Sequence, residues 1–348
     1  MINDEDITTV PIFLQNTIAI IWDFDNTLIA GSMQSPIVDA YNIDEREFWQ
    51  EVNNLGTYYQ GRHTRVNQST AYLNHILSYV RRGIFPDLSN SKLGELGKEI
   101  TFYDGLPQFF QTLKELILNN VEFQRYSINL EHYIVSTGLA RMIRGSDINP
   151  YVDGIWGCEF IEDVAEPRYL SGEQKSLLPE PGVIQQVGYW LDDTTKTRAL
   201  FEINKGANKY PVDVNDTIPK DQRRVPFKNM VYIADGPSDI PVFSILKEFQ
   251  GRTFAVFKPH SEKEFQQVYY LQRQGRVEAY GPADYRDGSQ TSLWVIQTVR
   301  DIATRIVGEK DSALRATVKP APHHIDDTSE PLSPDVSPQQ SMPGFEVE

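Results

Sequence analysis

Acidic and hydroxyl side chains follow three short apolar runs of this 348-residue chain, at the point where each run ends. They are Asp23 and Asp25 after the first run, Ser136 with Thr137 and Gly138 after the second, and Asp235 and Asp239 after the third. Clustered carboxylates repel one another unless a cation neutralises them, and Mg²⁺ prefers oxygen ligands of this kind. A carboxylate beside such an ion is a nucleophile toward phosphorus, and a second one nearby can exchange protons. The pattern therefore indicates phosphoryl transfer, provided that the three runs are neighbours.

The elements that must position these residues are buried strands that alternate with helical stretches. Apolar runs rich in β-branched and aromatic residues predict strands at 17–22, 132–135, 230–234 and 253–257. Helical spacing of apolar residues predicts helices at 106–118, 239–247 and 293–306. This alternation predicts an α/β fold with a doubly wound parallel sheet covered on both faces. Ligands of such sheets bind at the carboxyl ends of the strands, where the listed side chains lie.

Two segments differ from this alternating pattern. Residues 33–100 have helical spacing, many aromatic residues and no buried strand run, so we expect a helical insert after the first strand. The core would then comprise residues 12–32 and 101–310. Residues 311–348 contain six prolines and seven acidic residues against two basic ones, which predicts a disordered tail. For the stretch 145–190 the sequence leaves two alternatives, a hairpin or a second, smaller insertion.

The ordered motifs resemble those of the haloacid dehalogenase (HAD) superfamily. They are D-x-D-x-T at 23–27, a strand that ends in Ser136, a lysine, and D-G-x-x-D at 235–239. The helical insert is similar to that superfamily's C1-type cap, as in phosphoserine-phosphatase-like members. The resemblance spans about residues 15–305. It implies a Rossmann-like core, a Mg²⁺ cofactor and, because an aspartate stands at Asp25, a phosphatase or phosphomutase rather than a dehalogenase or phosphonatase.

The resemblance also implies a role for each motif residue. Asp23 would be the nucleophile and a metal ligand, and Asp25 the general acid and base whose backbone carbonyl also faces the metal. Asp235 would complete the metal ligands, with Asp239 supporting the ion or its waters. Ser136 would hydrogen-bond the transferring phosphoryl group, with Thr137 as the alternative. The residues assigned to substrate binding in the loops are Thr27, Ser136, Thr137 and Gly138.

The superfamily's remaining motif is a lysine that neutralises the nucleophile and the phosphate. Lys196 opens the helical stretch 197–203, after an apparent strand at 187–191, and Lys205 lies at the end of that stretch. The superfamily's lysine usually lies at the start of such a helix. The resemblance therefore favours Lys196 over Lys205.

Substrate choice in this architecture depends on the cap. Arg62 and Arg65 follow an aromatic pair, Tyr58 and Tyr59, and are the basic residues that we assign to substrate binding. The alternative for each arginine is a solvated position on a helix surface. We expect a small phosphorylated metabolite as the substrate, because a closing cap excludes water and bulky partners.

Composition excludes several classes of protein. Lys and Arg number 33 against 48 Asp and Glu, a net charge of -15, which argues against a nucleic-acid partner. One cysteine, Cys158, excludes an internal disulfide and a zinc site made of cysteines. The acidic start of the chain is unlike a secretory signal, and no apolar run reaches the roughly 18 residues that span a bilayer. We therefore expect a soluble, cytoplasmic protein without a membrane partner, of open oligomeric state.

The expected activity is hydrolysis of a phosphomonoester through an aspartyl-phosphate. Two alternatives stay open from the sequence. The same phosphoenzyme serves a phosphotransferase or phosphomutase, and a binding or regulatory protein can retain the fold without catalysis.

Overall fold

One sheet places the predicted motifs side by side. A computed structural model describes residues 13–165, 167–171 and 182–318. Within them the strands are β1 (Thr17–Trp22), β2 (Asn129–Leu139), β3 (Gly154–Ile161), β4 (Gln186–Tyr189), β5 (Met230–Ala234), β6 (Arg252–Phe257) and β7 (Ala279–Pro282). Their order is β4-β3-β2-β1-β5-β6-β7, and every neighbouring pair is parallel except β3 with β4. The predicted fold class, an α/β fold with a doubly wound, mostly parallel sheet, is confirmed.

Helices occupy most connections between the strands. In the described residues they are α1 (Ser35–Ala40), α2 (Glu45–Gln60), α3 (Ala71–Arg81), α4 (Asn90–Gly97), α5 (Gln108–Leu118), α6 (Val121–Arg125), α7 (Ala140–Gly145), α8 (Lys196–Lys205), α9 (Ile240–Glu248), α10 (Glu262–Arg273) and α11 (Gln290–Thr317). Helix α5 packs on β2, and α9 packs on β5 and β6. Strands β2 to β4 lie on one side of β1, and strands β5 to β7 lie on the other. The carboxyl ends of β1 and β5 therefore form the topological switch point, where such sheets bind ligands.

Strand prediction succeeded at the centre of the sheet and failed toward its edges. Strands β1 and β5 have the predicted bounds, and every residue of both is buried. Strands β3 and β7 were not predicted, because β3 is only partly buried and β7 is the four-residue sequence AYGP. Strand β4 pairs antiparallel with β3, which is the hairpin alternative for the stretch 145–190. Edge strands lack the continuous apolar run that marks a central strand.

Four helices, α1 to α4, lie in the segment that the sequence predicts as an insert. A bridge between Ile29 and Phe102 brings the two ends of this segment together. Its last helix, α4, packs closely on α7, because a Cβ at Gly97 or Gly145 would collide with the backbone of the other helix. The function of residues 33–100 as a cap remains a prediction, and α4 within that range already contacts the core.

The last helix extends beyond the predicted end of the core. Helix α11 runs to Thr317, so the segment 311–317 is helical where a disordered tail was predicted. The reason is local composition, since Ala313, Leu314, Arg315 and Ala316 are strong helix formers and the first proline of the tail is Pro320. The rest of that predicted tail, from 319, and the predicted first core residue, 12, lie outside the described residues. No helix in the described part of the chain is long and apolar enough to cross a membrane.

His132 is a structural residue of the core, as its position in an apolar run suggests. It is fully buried in β2, where its Nδ1 accepts a hydrogen bond from the Trp22 indole at 3.2 Å and its ring stacks on Phe110. Burial lowers the pKa of His132 to about 3, so the ring stays neutral.

Candidate active site

The site begins where two central strands end side by side. Strands β1 and β5 are parallel neighbours, and the Asp23 N–H donates to the Ile233 carbonyl at 2.9 Å. Parallel strands end at the same edge of a sheet, so the residues after β1 and β5 converge. Carboxylate oxygens of Asp23, Asp235 and Asp239 all lie within 4.8 Å of one another. The structure therefore brings together three of the four aspartates that the sequence singled out.

Lys196 supplies positive charge to this cluster. Its side chain is 1% exposed, and its Nζ donates to Asp23 Oδ1 at 2.9 Å and to Asp239 Oδ1 at 2.7 Å. Burial alone would lower the pKa of Lys196, but the charges of the two aspartates outweigh it and raise that pKa above its ordinary value. Lys196 is therefore a fixed cation between two carboxylates.

Lys205 lies at the other end of the same helix, α8. Its Nζ donates to the backbone carbonyls of Val214 and Asp216, each at 2.6 Å. Helix α8 is ten residues long with one lysine at each end, so it cannot direct both lysines at the cluster. Of the two sequence candidates, Lys196 is the one that contacts Asp23.

Asp239 is held by donors on both of its oxygens. Besides Lys196, Tyr232 donates its hydroxyl to Asp239 Oδ1 at 2.6 Å, and Ser238 donates to Oδ2 at 2.9 Å. Sequence reasoning missed Tyr232, because a tyrosine inside the buried strand β5 has the pattern of a core residue. These contacts make Asp239 an orienting partner of Lys196, whereas its remaining capacity for a metal is small.

Asp23 and Asp235 have the properties of cation ligands. Burial raises the pKa of Asp23 to about 6, although Lys196 acts in the opposite direction. Burial, followed by the charges of Asp23 and Asp239, raises the pKa of Asp235 well above its ordinary value. In the described residues no side chain or backbone group donates to the Asp235 carboxylate. Oxygen donors with uncompensated charge fit a hard divalent cation such as Mg²⁺.

Asp25 contacts the start of the insert and is not one of the three carboxylates that lie within 4.8 Å of one another. Its Oδ1 accepts a hydrogen bond from the Met33 N–H at 2.7 Å. Burial, together with the charge of Asp23, raises the pKa of Asp25 to about 7. Asp25 is therefore close enough to Asp23 and Asp235 to interact with their charges, while its carboxylate is held by the Met33 N–H. Whether its backbone carbonyl meets a metal stays a prediction.

A tight loop fixes the spacing of the two aspartates. Asn26 adopts a left-handed φ of 54°, which asparagine tolerates better than most residues. Asn26 exchanges hydrogen bonds with Gly31, donating its N–H to the Gly31 carbonyl and accepting the Gly31 N–H on its side chain. The carbonyl of the fully buried Thr27 accepts the Tyr285 hydroxyl at 2.7 Å, whereas the Thr27 hydroxyl has no partner within the described ranges. Thr27 therefore anchors the loop through its backbone.

The end of β2 presents a second, tightly held loop. The Ser136 Oγ, which is buried, accepts the Gly138 N–H at 3.0 Å and keeps its own proton to donate. A Cβ at Gly138 would collide with the end of the Met33 side chain and approach Ser136 Oγ to 3.2 Å, so any larger residue requires Met33 to move. The Thr137 carbonyl accepts the Tyr72 hydroxyl at 2.7 Å. Tyr72 belongs to α3 of the insert and was not predicted as a site residue, since its spacing is that of a helix core.

The two arginines assigned to substrate binding make no hydrogen bond or ion pair with the aspartates in the described part of the chain. Arg62 stacks its guanidinium 3.7 Å from the centre of the Tyr58 ring and donates to the Tyr58 carbonyl. Arg65 lines a surface cavity together with Trp190. Within the described residues neither arginine forms an ion pair. Their roles in substrate binding stay predictions.

Comparison with other proteins identifies a relative by sequence, whose name gives no activity. The chain matches no protein-family model. It is 37% identical over 289 residues to an uncharacterised protein of Borreliella burgdorferi, and the alignment covers 82% of this chain and 97% of that protein. The chain belongs to the family of that protein.

Solved structures similar to this member of the family include HAD-family hydrolases and phosphoserine phosphatases. A HAD family hydrolase of Salmonella enterica serovar Typhi has 13% identity and a TM-score of 0.43, over 78% of this chain and 68% of that one. A phosphoserine phosphatase in its apo form has 14% identity and a TM-score of 0.42, over 76% and 92% of the two chains. These likenesses concern the fold alone. The functional argument rests on the residues of this chain.

Proposed function

We propose that this protein is a Mg²⁺-dependent phosphomonoester hydrolase of haloacid dehalogenase type that becomes phosphorylated on Asp23. The observation that supports it is the contact of a buried carboxylate, Asp23, with a buried ammonium, Lys196, at the switch point of the sheet. Asp235 and Asp239 complete the group within 4.8 Å. Nucleophile, cation and metal-type ligands at one point are the parts that phosphoryl transfer needs.

Asp23 and Asp235 would hold the Mg²⁺ ion. When bound, the ion would neutralise negative charge on the phosphoryl oxygens and on the nucleophile. Asp239 would act through Lys196, because its two oxygens already accept hydrogen bonds from Lys196, Tyr232 and Ser238. Lys196 would thereby stay aimed at Asp23 while the substrate binds.

The first step would transfer the phosphoryl group to the protein. A carboxylate oxygen of Asp23 attacks phosphorus as the bond from phosphorus to the ester oxygen breaks. Asp25, two residues on and oriented by the Met33 N–H, gives its proton to the departing oxygen. Lys196 neutralises the charge that remains on the phosphoryl oxygens, and the Ser136 hydroxyl donates to one of them.

The second step would return Asp23 to its starting state. Asp25, now a carboxylate, takes a proton from a water molecule as that water attacks the phosphorus of the aspartyl-phosphate. The bond between phosphorus and Asp23 breaks, which releases inorganic phosphate and leaves Asp25 protonated for the next cycle. A small phosphorylated metabolite remains the expected substrate, because the helical insert begins directly after the loop that carries Asp25.

A phosphate-release assay tests this proposal. The full chain would be incubated with MgCl₂ and a panel of phosphate esters, and inorganic phosphate would be measured with and without an acceptor alcohol. We expect release by the wild type and a loss of at least about 10³-fold for Asp23→Asn, the size of effect seen when a nucleophile is removed. Asp221→Asn, a change at an exposed carboxylate, is the matched control and should leave the rate unchanged.

Each outcome separates the candidate functions. Wild-type activity in Asp23→Asn would remove Asp23 as the nucleophile. Phosphate that passes mainly to the acceptor alcohol would identify a phosphotransferase instead of a hydrolase. An inactive wild type across the whole panel would support a binding or regulatory protein with this fold.

A further inference from the structure

A cavity of about 620 Å³ lies between helices α2 and α3 of the insert and strand β4. Arg65, Arg81 and His75 supply its basic groups, and Trp190 and Tyr59 supply its aromatic rings. His75 is hydrogen-bonded to Glu51 at 2.7 Å, so the two arginines are the cavity's free cations among the described residues. Its volume falls in the range of about 300–1,000 Å³ that is typical of small-molecule sites. The three-aspartate group is not part of its lining.

The charge of the cavity is opposite to that of the chain. The described residues that line it include two arginines and no aspartate or glutamate, although the whole chain carries a net charge of -15. Arg65 makes no hydrogen bond or ion pair with any described residue, and Arg81 has a single long contact, 3.4 Å, to the Gln185 carbonyl. Uncompensated guanidinium groups in a concave surface attract an anion.

The exposed aromatic residues of the cavity favour a ligand with an apolar part. Trp190 is 56% exposed and Tyr59 is 37% exposed, and both rings border the same cavity as Arg65. Large exposed aromatic surface beside a cavity is a feature of binding sites, since covering it removes apolar area from water. An aromatic ring of a ligand that stacks on Trp190 would cover this exposed surface.

Helix α3 separates the cavity from the loops of the candidate active site. Asn74, Ser78 and Arg81 share one side of α3 and border the cavity. Tyr72 leaves α3 on another side and donates its hydroxyl to the Thr137 carbonyl. The cavity is therefore distinct from the position at which Asp23 would meet phosphorus.

One hydrogen bond connects the cavity wall to the turn before Lys196. Asn67, which borders the cavity, donates from Nδ2 to Asp192 Oδ2 at 2.9 Å. The Asp192 carbonyl in turn accepts the Lys196 N–H at 3.0 Å, in the first turn of α8. A ligand in the cavity would thus contact a residue that helps to hold the start of the lysine's helix.

We propose that this cavity binds a small organic anion that carries an aromatic ring. Its anionic group pairs with Arg65, with Arg81 nearby, and its ring covers Trp190. The site is separate from the phosphate position and does not depend on catalysis.

A fluorescence titration of the full chain with anilinonaphthalene sulfonate, an aromatic anion, tests the proposal. We expect saturable binding by the wild type and affinity at least about tenfold weaker in Arg65→Gln, the loss expected for one charge-assisted hydrogen bond. Trp190→Leu should weaken binding as well. Arg82→Gln is the matched control, because Arg82 is exposed and follows Arg81 without lining the cavity, and it should bind like the wild type. Far-ultraviolet circular dichroism of each variant would establish that its fold is retained.

Competition with sulfate separates the contribution of charge to the binding affinity from that of the aromatic ring. Sulfate lacks a ring, so it should displace the dye only at much higher concentration than the dye itself requires. The proposal is overturned if the folded wild type does not bind the dye. It is also overturned if Arg65→Gln and Arg82→Gln bind the dye with equal affinity. Displacement of the dye by sulfate at concentrations similar to those at which the dye itself binds would likewise overturn it.

Discussion

Replacing Lys196 by Met tests the central contact of the candidate site. The side chain is 1% exposed, and its ammonium makes two charge-assisted hydrogen bonds, to Asp23 and Asp239, at 2.9 and 2.7 Å. Methionine keeps most of the volume but leaves both carboxylates buried without their cation. Removing one partner of a buried ion pair costs about 3–5 kcal/mol of stability. Two such hydrogen bonds at about 1.5–3 kcal/mol each give a similar sum.

Urea unfolding and phosphate release would be measured on the same preparations. We expect Lys196→Met to lower the unfolding midpoint and to reduce turnover by about 10²–10³-fold, as expected when a charged donor is lost at a transferring phosphoryl group. The double variant Lys196→Met/Asp23→Asn should be more stable than Lys196→Met alone, because it removes one of the unpaired charges. That comparison measures the ion pair even if activity is lost for another reason.

Lys205→Met is the matched control, at the other end of the same helix. Among the described residues Lys205 donates to two backbone carbonyls, of Val214 and Asp216, and to no carboxylate, so its loss should leave turnover unchanged. The reasoning is refuted if Lys196→Met keeps wild-type turnover and stability. It is also refuted if Lys205→Met loses more activity than Lys196→Met.

Three further predictions address the proton donor, the β2 loop and the core. Asp25→Asn should slow phosphate release by about 10²–10⁴-fold while the protein stays folded, and unchanged steady-state rates would contradict its proposed role. Tyr72→Phe removes the donor to the Thr137 carbonyl and should lower kcat more than it raises KM; a pure change in thermal stability would show that the contact is only structural. Burial alone would raise the pKa of Glu131, but hydrogen bonds, chiefly from Arg224, lower it from 4.5 to about 2. The folded-state pKa is the lower one, so this stabilisation is complete above pH 4.5 and is lost as pH falls toward about 2. It amounts to about 3 kcal/mol, and urea unfolding of Glu131→Gln should lack that part of the pH dependence.

The centre of the sheet was predictable because the signal is local. Strands β1 and β5 are buried on both faces, so each is a continuous apolar run that ends in an aspartate. Parallel pairing then requires Asp23 and Asp235 to meet at one edge. The sequence did not predict strands β3 and β7, and it ended helix α11 too early. Strands near the edge of a sheet and the ends of helices have a weaker hydrophobic pattern than central strands.

The amino-acid sequence by itself determined the types of chemical group and their order along the chain: two aspartates after β1, a serine after β2, a lysine at a helix start and two aspartates after β5. Tertiary structure alone decided which groups touch. It selected Lys196 rather than Lys205 for contact with Asp23, gave Asp239 the hydroxyl of Tyr232, and turned Asp25 toward the Met33 N–H. The physical reason is distance along the chain. Asp23 and Lys196 are 173 positions apart, and a contact across that separation depends on sheet packing that no local pattern records.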